Sequence, residues 1–390
     1  MKNLNLFILL LFNSVLFAQT PFIKDDIEYT NAGQPALAVE IKSYKGTATS
    51  LALPSSVTND ANSTTYTVAS IGFGAFFGSS LTSVTIPNSI TSIGNNAFTN
   101  SKLENIDIPD TVTSVGAYAF SDNSLKTATI SNTITSLEDH VFSNNDLTTI
   151  TIPNSIISVG SNAFSFNALT SVIIGDNVEL IDNNAFYNNK IADITIPSNV
   201  TSIGDNAFMG NELKEITIPN SVTSIGESSF SENYLTHVVL GSNLTFIGNE
   251  AFADNLITNV ESYSANPPIL PSDAFNVNAA IDLFIPEGTT QKYEDAGWTG
   301  FKSVTEDPAL TLSTDSASLK NEFTIINTEN DIRVSGPKGI NVEELLVFNI
   351  SGVNVSTSKQ TFIETTTLPH GVYLLQIVTN KGSAVKKFLK

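Results

Sequence analysis

Between residues 71 and 260 the apolar positions return on a step of 22. Phenylalanine stands at Phe76, Phe98, Phe120, Phe142, Phe164, Phe186, Phe208, Phe230 and Phe252, and a leucine or isoleucine column keeps the same register from Leu81 to Ile257. Counted from Leu81, the unit reads L-x-x-V-x-I-P-N-S-V-T-S-I-G-x-x-A-F-x-x-N-x. A fixed period of this size marks a solenoid, in which each repeat is one coil resting on the next.

The columns say how each coil turns. Positions 1, 4 and 6, such as Leu213, Ile216 and Ile218, end on alternate residues and predict a short strand with one face buried. Proline follows at position 7 in Pro87, Pro109, Pro153, Pro197 and Pro219, where a residue without an N–H ends the ladder and turns a corner. Positions 10 and 13 (Ile90 and Ile93, Val200 and Ile203) line a second side, another short strand. Position 14 is glycine in seven of nine units, which predicts a corner with positive φ or a close backbone approach. Ala-Phe at positions 17 and 18 then turns a small and a large residue inward, read as a single helical turn. Each coil is expected to have three sides and three corners.

Position 21 carries an unbroken run of amides: Asn123, Asn145, Asn167, Asn189, Asn211, Asn233 and Asn255. Ordinary turn chemistry favours asparagine. A side chain turned inward, bonding the backbone of its own and the neighbouring coil, explains the constant register better.

The stretch Ser83-Val84-Thr85-Ile86-Pro87-Asn88-Ser89-Ile90-Thr91-Ser92-Ile93-Gly94-Asn95-Asn96-Ala97-Phe98 resembles the BspA-type (Treponema pallidum-type) leucine-rich repeat of bacterial surface proteins. That family usually carries cysteine where this chain has its asparagine column. The resemblance implies a curved parallel-β solenoid with a role in adhesion or surface recognition.

Both ends of the array need covers, because an open edge templates aggregation. Ile27 to Ile41 reads as two short strands over the first edge, and the first coil (Leu51-Ala52-Leu53-Pro54) carries an insertion before Tyr66 and Ile71. At the far end Phe275 falls one residue late, Gln291 to Trp298 reads as a short helix, and Trp298 and Phe301 close the last coil. Beyond Pro308 the period stops. Alternating strands are expected at Phe323–Ile326, Ile332–Ser335, Leu345–Ile350, Phe362–Thr366, Val372–Thr379 and Val385–Leu389, a small antiparallel β-sandwich. Leu346-Val347-Phe348-Asn349-Ile350-Ser351-Gly352, Leu368-Pro369-His370-Gly371-Val372-Tyr373-Leu374 and the terminal Lys386-Lys387-Phe388-Leu389-Lys390 resemble the type IX secretion sorting domain of Bacteroidota. The resemblance implies passage across the outer membrane by the type IX machinery, followed by release or attachment at the surface.

Leu4 to Phe17 is mostly apolar behind Lys2, and Ala18 precedes Gln19, the pattern of a secretory signal peptide. The expected division is a signal peptide (1–18), N-terminal cap and first coil (19–70), repeat solenoid (71–260), C-terminal cap (261–306), linker (307–320) and sorting domain (321–390). The fold class is mainly β: a leucine-rich-repeat solenoid followed by a small β-sandwich. No later stretch is long and apolar enough to span a bilayer.

Composition narrows the function. Eighteen basic against 38 acidic side chains give a net charge of −20, with Arg333 the sole arginine, which excludes a nucleic-acid partner. With no cysteine there is no disulfide or thiolate metal site. Histidine occurs only at His140, His237 and His370. Asp193, Glu215 and His237 share unit position 3 in successive coils, lateral neighbours on a solvated face; two carboxylates and an imidazole form the one set weighed for a divalent cation. A solvated face with scattered charge is the preferred reading. Thr85, Thr129, Thr151, Thr195 and Thr217 form a row beside it at position 5, interrupted by Asp107 and Val239. No hydrolase, zincin, P-loop or EF-hand spacing occurs, so the expectation is no catalytic, cofactor-binding or metal residue and no cofactor. The chain reads as a non-catalytic, secreted or outer-membrane surface protein that recognises an extracellular protein or glycan. The alternatives are a self-associating structural surface-layer component or a glycan-binding accessory module.

Overall fold

The computed structural model describes residues 21–32, 37–275, 280–307, 310, 323–328, 331–336, 341–349, 354–369, 371–379 and 382–390. The expected signal peptide and most of the expected linker lie outside the described residues.

One coil shows how the unit folds. Leu147, Ile150, Ile152, Ile156, Val159, Ala163 and Phe164, at positions 1, 4, 6, 10, 13, 17 and 18, are all buried. The first side is the strand Thr149–Thr151, whose outer residues are exposed and whose central Ile150 points in. Pro153 opens the first corner, and the Ile156 N–H donates to its carbonyl across a four-residue turn. The second side is the two-residue strand Ser158–Val159.

The corner at position 14 uses glycine for space, not for a left-handed backbone. A Cβ on Gly226 would stand 2.5 Å from the backbone of Gly204 and Asp205 in the coil below. The positive φ angles fall at positions 16 and 20, as in Asn96 (φ 56) and Asn100 (φ 54). This corrects the expected helical turn around Ala-Phe. In a helix the N–H groups would be consumed within the segment. Here the N–H groups of positions 16, 18 and 20 donate along the axis to carbonyls of the next coil: Asn96 to Ala117, Phe98 to Ala119, Asn100 to Ser121. The alternate N–H groups close turns within the coil, Ala97 to Gly94 and Thr99 to Asn96, so the third side is a hydrogen-bonded ladder built of turns.

That turn ladder continues from Gly74 through Glu232. The strand ladders are less regular. On the first side, strands pair in twos (Ser50–Ala52 with Ser83–Thr85, Asn105–Asp107 with Thr127–Thr129, Thr149–Thr151 with Ser171–Ile173) before a five-stranded parallel sheet runs from Glu215–Thr217 to Ser303–Asp307. On the second side, Ser136–Leu137 to Phe246–Ile247 form six strands in parallel register.

Inside, the rings stack from end to end. Centroids from Phe76 to Phe252 lie 4.8–5.6 Å apart and near parallel. Tyr44 extends the column at one end (5.5 Å from Phe76) and Phe275 at the other (5.2 Å from Phe252), with Trp298 and Phe301 packed on Phe275. The one-residue shift of Phe275 is therefore absorbed without leaving the stack.

The asparagine column points inward. Asn189 donates from Nδ2 to the carbonyls of Phe164 (2.9 Å) and Phe186 (3.1 Å), and its Oδ1 accepts the Leu169 N–H at 3.0 Å. Asn123 through Asn255 repeat this geometry, so each Phe carbonyl between Phe120 and Phe230 accepts from two successive amides.

The caps follow from the same need for covered edges. Phe22–Lys24, Ile27–Asn31 and Ala38–Tyr44 form an antiparallel meander whose last strand pairs parallel with Thr64–Ile71. The insertion in the first coil is the hairpin Ser56–Asn59 with Thr64–Ile71. At the far end the helix Thr290–Asp295 seats Tyr293, whose hydroxyl donates to Ser262 Oγ (2.7 Å), and Trp298 donates to the Pro268 carbonyl. Burial pushes the Tyr293 phenol well above its usual pKa. The Glu306 carboxylate accepts the backbone N–H of Gly288 and then the hydroxyl and N–H of Thr290 at the helix start, which lowers its pKa to about 2.

The C-terminal region forms two antiparallel sheets, Thr324–Asn327/Asp331–Ser335/Phe362–Glu364 and Asn354–Ser358/Val342–Asn349/Val372–Thr379/Gly382–Leu389. They share one apolar cluster that includes Phe323, Ile332, Leu345, Val347, Leu375 and Ile377. Asn354–Ser358 is a strand the sequence pattern did not predict, since its outer residues Asn354, Val355 and Thr357 are exposed and polarity hides it.

Candidate interaction surfaces

On the first side, strand geometry sends positions 3 and 5 outward. Thr85, Thr129, Thr151, Thr195 and Thr217 are all exposed there. Glu215 and His237 are neighbours in register across the parallel ladder. The imidazole nevertheless turns the other way: its Nε2 lies 3.1 Å from Glu261 Oε1, and Tyr263 donates to the second Glu261 oxygen at 3.2 Å. Burial, then the adjacent Glu261 charge, raises the Tyr263 phenol to about 12.

Asp193 is separated from this group. Residues 191–199 form no strand, and the first-side ladder is interrupted there. The gap opens a trough of about 420 Å³ whose lining includes Thr170, Ile173, Asp176, Asp193, Thr195 and Pro197. The register holds for Glu215 and His237, Asp193 stands outside the strand ladder, and the three side chains do not converge. Among the described residues no group of three His, Cys, Asp or Glu is placed to hold a metal ion.

A second surface lies on the turn side. Asparagine is the commonest residue at the left-handed positions 16 and 20 (Asn96, Asn162, Asn184 and Asn206; Asn100, Asn144 and Asn188), and it tolerates this backbone. Rings replace it at Tyr118 (φ 61), His140 (φ 57) and Phe166 (φ 54). Tyr118 and His140 stack with centroids 4.4 Å apart at 9°, and Tyr187 at position 19 meets Phe166 edge-on at 5.1 Å. Tyr118 remains 39% and Phe166 48% exposed. Burial lowers the His140 pKa, outweighing the nearby Asp139 and Asp122, so the imidazole is neutral at neutral pH. Beside the rings, Asn144 donates to the Asp122 carboxylate. The expected helical turn around Ala-Phe at positions 17 and 18 gives no hint of this surface; its signal in the sequence is a ring where neighbouring coils carry asparagine.

The BspA type leucine rich repeat region matches residues 58–168 and 158–282, in six copies, which is more than half of the 390 residues. The chain belongs to the BspA-type leucine-rich repeat family. Residues 320–390 match the secretion system C-terminal sorting domain. No curated protein matches the chain. Similar solved structures include a leucine-rich repeat protein from Bacteroides ovatus, 22% identical over 73% of this chain and 100% of that one, with a TM-score of 0.47. A leucine rich cell surface protein from Faecalibacterium prausnitzii is 22% identical over 75% of this chain and 96% of that one (TM-score 0.46). The pneumococcal vaccine antigen PcpA is 15% identical over 74% of this chain and 99% of that one (TM-score 0.43). The family assignment rests on the repeat sequence itself.

Repeat and sorting domain together make this a leucine-rich-repeat protein exported by type IX secretion, secreted or held at the cell surface. Among the described residues no helix is long and apolar enough to cross a membrane.

Proposed function

We propose that the protein recognises an extracellular protein or glycan and performs no catalysis, with residues 1–18 as export signal, 307–320 as linker and 321–390 as the exported cargo's sorting tail. One observation carries this reading: the residues that depart from the repeat consensus lie on open surfaces rather than around an enclosed cleft. The trough beside Asp193 has carboxylates in its lining but no histidine, lysine or cysteine to pair with them as base or nucleophile. A long solenoid instead presents many side chains over a large area, which suits adhesion.

The test is binding of the mature full chain to immobilised matrix proteins and to a glycan array, with light scattering run in parallel. Saturable binding to an outside ligand supports recognition. Concentration-dependent growth of the scattering particle with no outside ligand replaces it by the self-associating surface-layer role. A second experiment concerns export: deletion of residues 321–390 is expected to leave the array folded and trapped in the periplasm, and normal secretion of that truncation refutes the assigned tail.

A further inference from the structure

The turn side carries four rings from four consecutive coils: Tyr118, His140, Phe166 and Tyr187. With a rise of ~4.8 Å per coil they span roughly 15 Å along the solenoid axis. The fold does not need them. At the left-handed positions of Tyr118 and Phe166 the neighbouring coils use Asn96, Asn144 and Asn188, and a tyrosine or phenylalanine there is conformationally unfavourable. Nor are they core residues, since Tyr118 and Phe166 keep two-fifths to one-half of their surface in solvent.

We propose that this ridge binds a neutral glycan, with sugar rings lying on the aromatic faces and sugar hydroxyls donating to the flanking amides and carboxylates. The proposal rests on the recognition reading above and gives it a site and a ligand class.

Two features favour a sugar over a protein. A protein hot spot is a continuous apolar centre ringed by polar groups. Here the rings come as two pairs, and in the position-20 column the hydrogen-bonded Asp122 and Asn144 precede Phe166. Alternating ring faces and hydrogen-bonding groups match the alternating C–H faces and hydroxyls of a saccharide chain. The charge fixes the class further. Across positions 14 to 20 of these four coils the sequence has Asp122, Glu138, Asp139 and Asp182 but no lysine or arginine. Carboxylates accept from hydroxyls and repel sulfate, phosphate and uronate groups, so the ligand is uncharged.

The experiment uses the mature full chain against fragments of β-glucan, mannan, xylan, galactan and chitin, with heparin as the anionic probe, followed by calorimetric titration of the best binder. Binding to at least one neutral family, little changed by added salt, is expected. Tyr118→Asn and Phe166→Asn install the residue the neighbouring coils already carry, so neither should lower the thermal midpoint. Each should weaken binding about tenfold, the loss of one stacked ring. Preference for heparin, affinity unchanged in the double variant, or no neutral glycan bound while a matrix protein still binds would overturn the ridge assignment alone. Failure to bind any outside ligand overturns both the ridge and the recognition reading.

Discussion

Asn189→Ala measures one rung of the internal amide ladder. In the native coil the Asn189 Oδ1 is the acceptor for the Leu169 N–H at 3.0 Å, and Leu169 is fully buried. Truncation leaves that N–H without a partner in a place water does not reach. The two carbonyls fare better: Phe164 still accepts from Asn167 at 3.1 Å, and Phe186 still accepts from Asn211 at 2.9 Å. An orphaned buried N–H costs about 1–3 kcal/mol and each lost bond to a still-satisfied carbonyl about 1 kcal/mol, so the total is about 3–5 kcal/mol. Guanidinium unfolding of the full chain, followed by circular dichroism, gives the overall change. Hydrogen exchange at Leu169 gives the local one, since a solenoid can open coil by coil. Asn189→Asp is expected to be at least as damaging at neutral pH, because its second oxygen faces the Phe164 and Phe186 carbonyls. A loss below about 1 kcal/mol, or a Leu169 amide as protected as before, would refute the argument that the column holds the coils together.

Phe164→Ala empties a site whose ring lies 5.6 Å from Phe142 and 5.5 Å from Phe186, both themselves buried. A loss of about 3–5 kcal/mol in the same denaturation assay is expected, and under about 1 kcal/mol contradicts inward stacking. Glu306→Gln tests the cap. The folded Glu306 pKa of about 2 lies below the ordinary glutamate value of about 4.5, so its carboxylate stabilises the cap above about pH 4.5 and loses that effect as pH falls through about 2. The wild-type advantage over Glu306→Gln, read by thermal unfolding or by exchange in Thr290–Asp295, should be constant above pH 4.5 and vanish by pH 2. An advantage independent of pH would place the effect elsewhere.

Much of the architecture was legible because the period is rigid. Between Phe76 and Phe252, where each coil stacks on a copy of itself at both faces, a one-residue shift would move every column off its partner. That is why the Leu, Phe and Asn columns and the proline corner could be placed from residue types alone. The glycine at position 14 was legible only as a choice between two causes. The coil below decided it: its backbone lies where a Cβ on Gly226 would be.

The segment around Ala-Phe at positions 17 and 18 differs from its expected helical turn. Ala-Phe between polar residues fits a helical turn or a run of left-handed turns equally well in local propensity. Only the neighbouring coil, whose carbonyls take the N–H groups of Asn96, Phe98 and Asn100, selects the second. The same neighbour rule explains why Glu215 and His237 share a register without converging, since register fixes position along a face while side-chain direction follows the nearest partner, here Glu261. What the sequence alone determined is therefore the identity and order of the buried columns, because burial acts on residue type at a fixed spacing. What only the tertiary structure decided is the direction of groups at the corners and on the surface, because hydrogen bonds there are made to a coil 22 residues away.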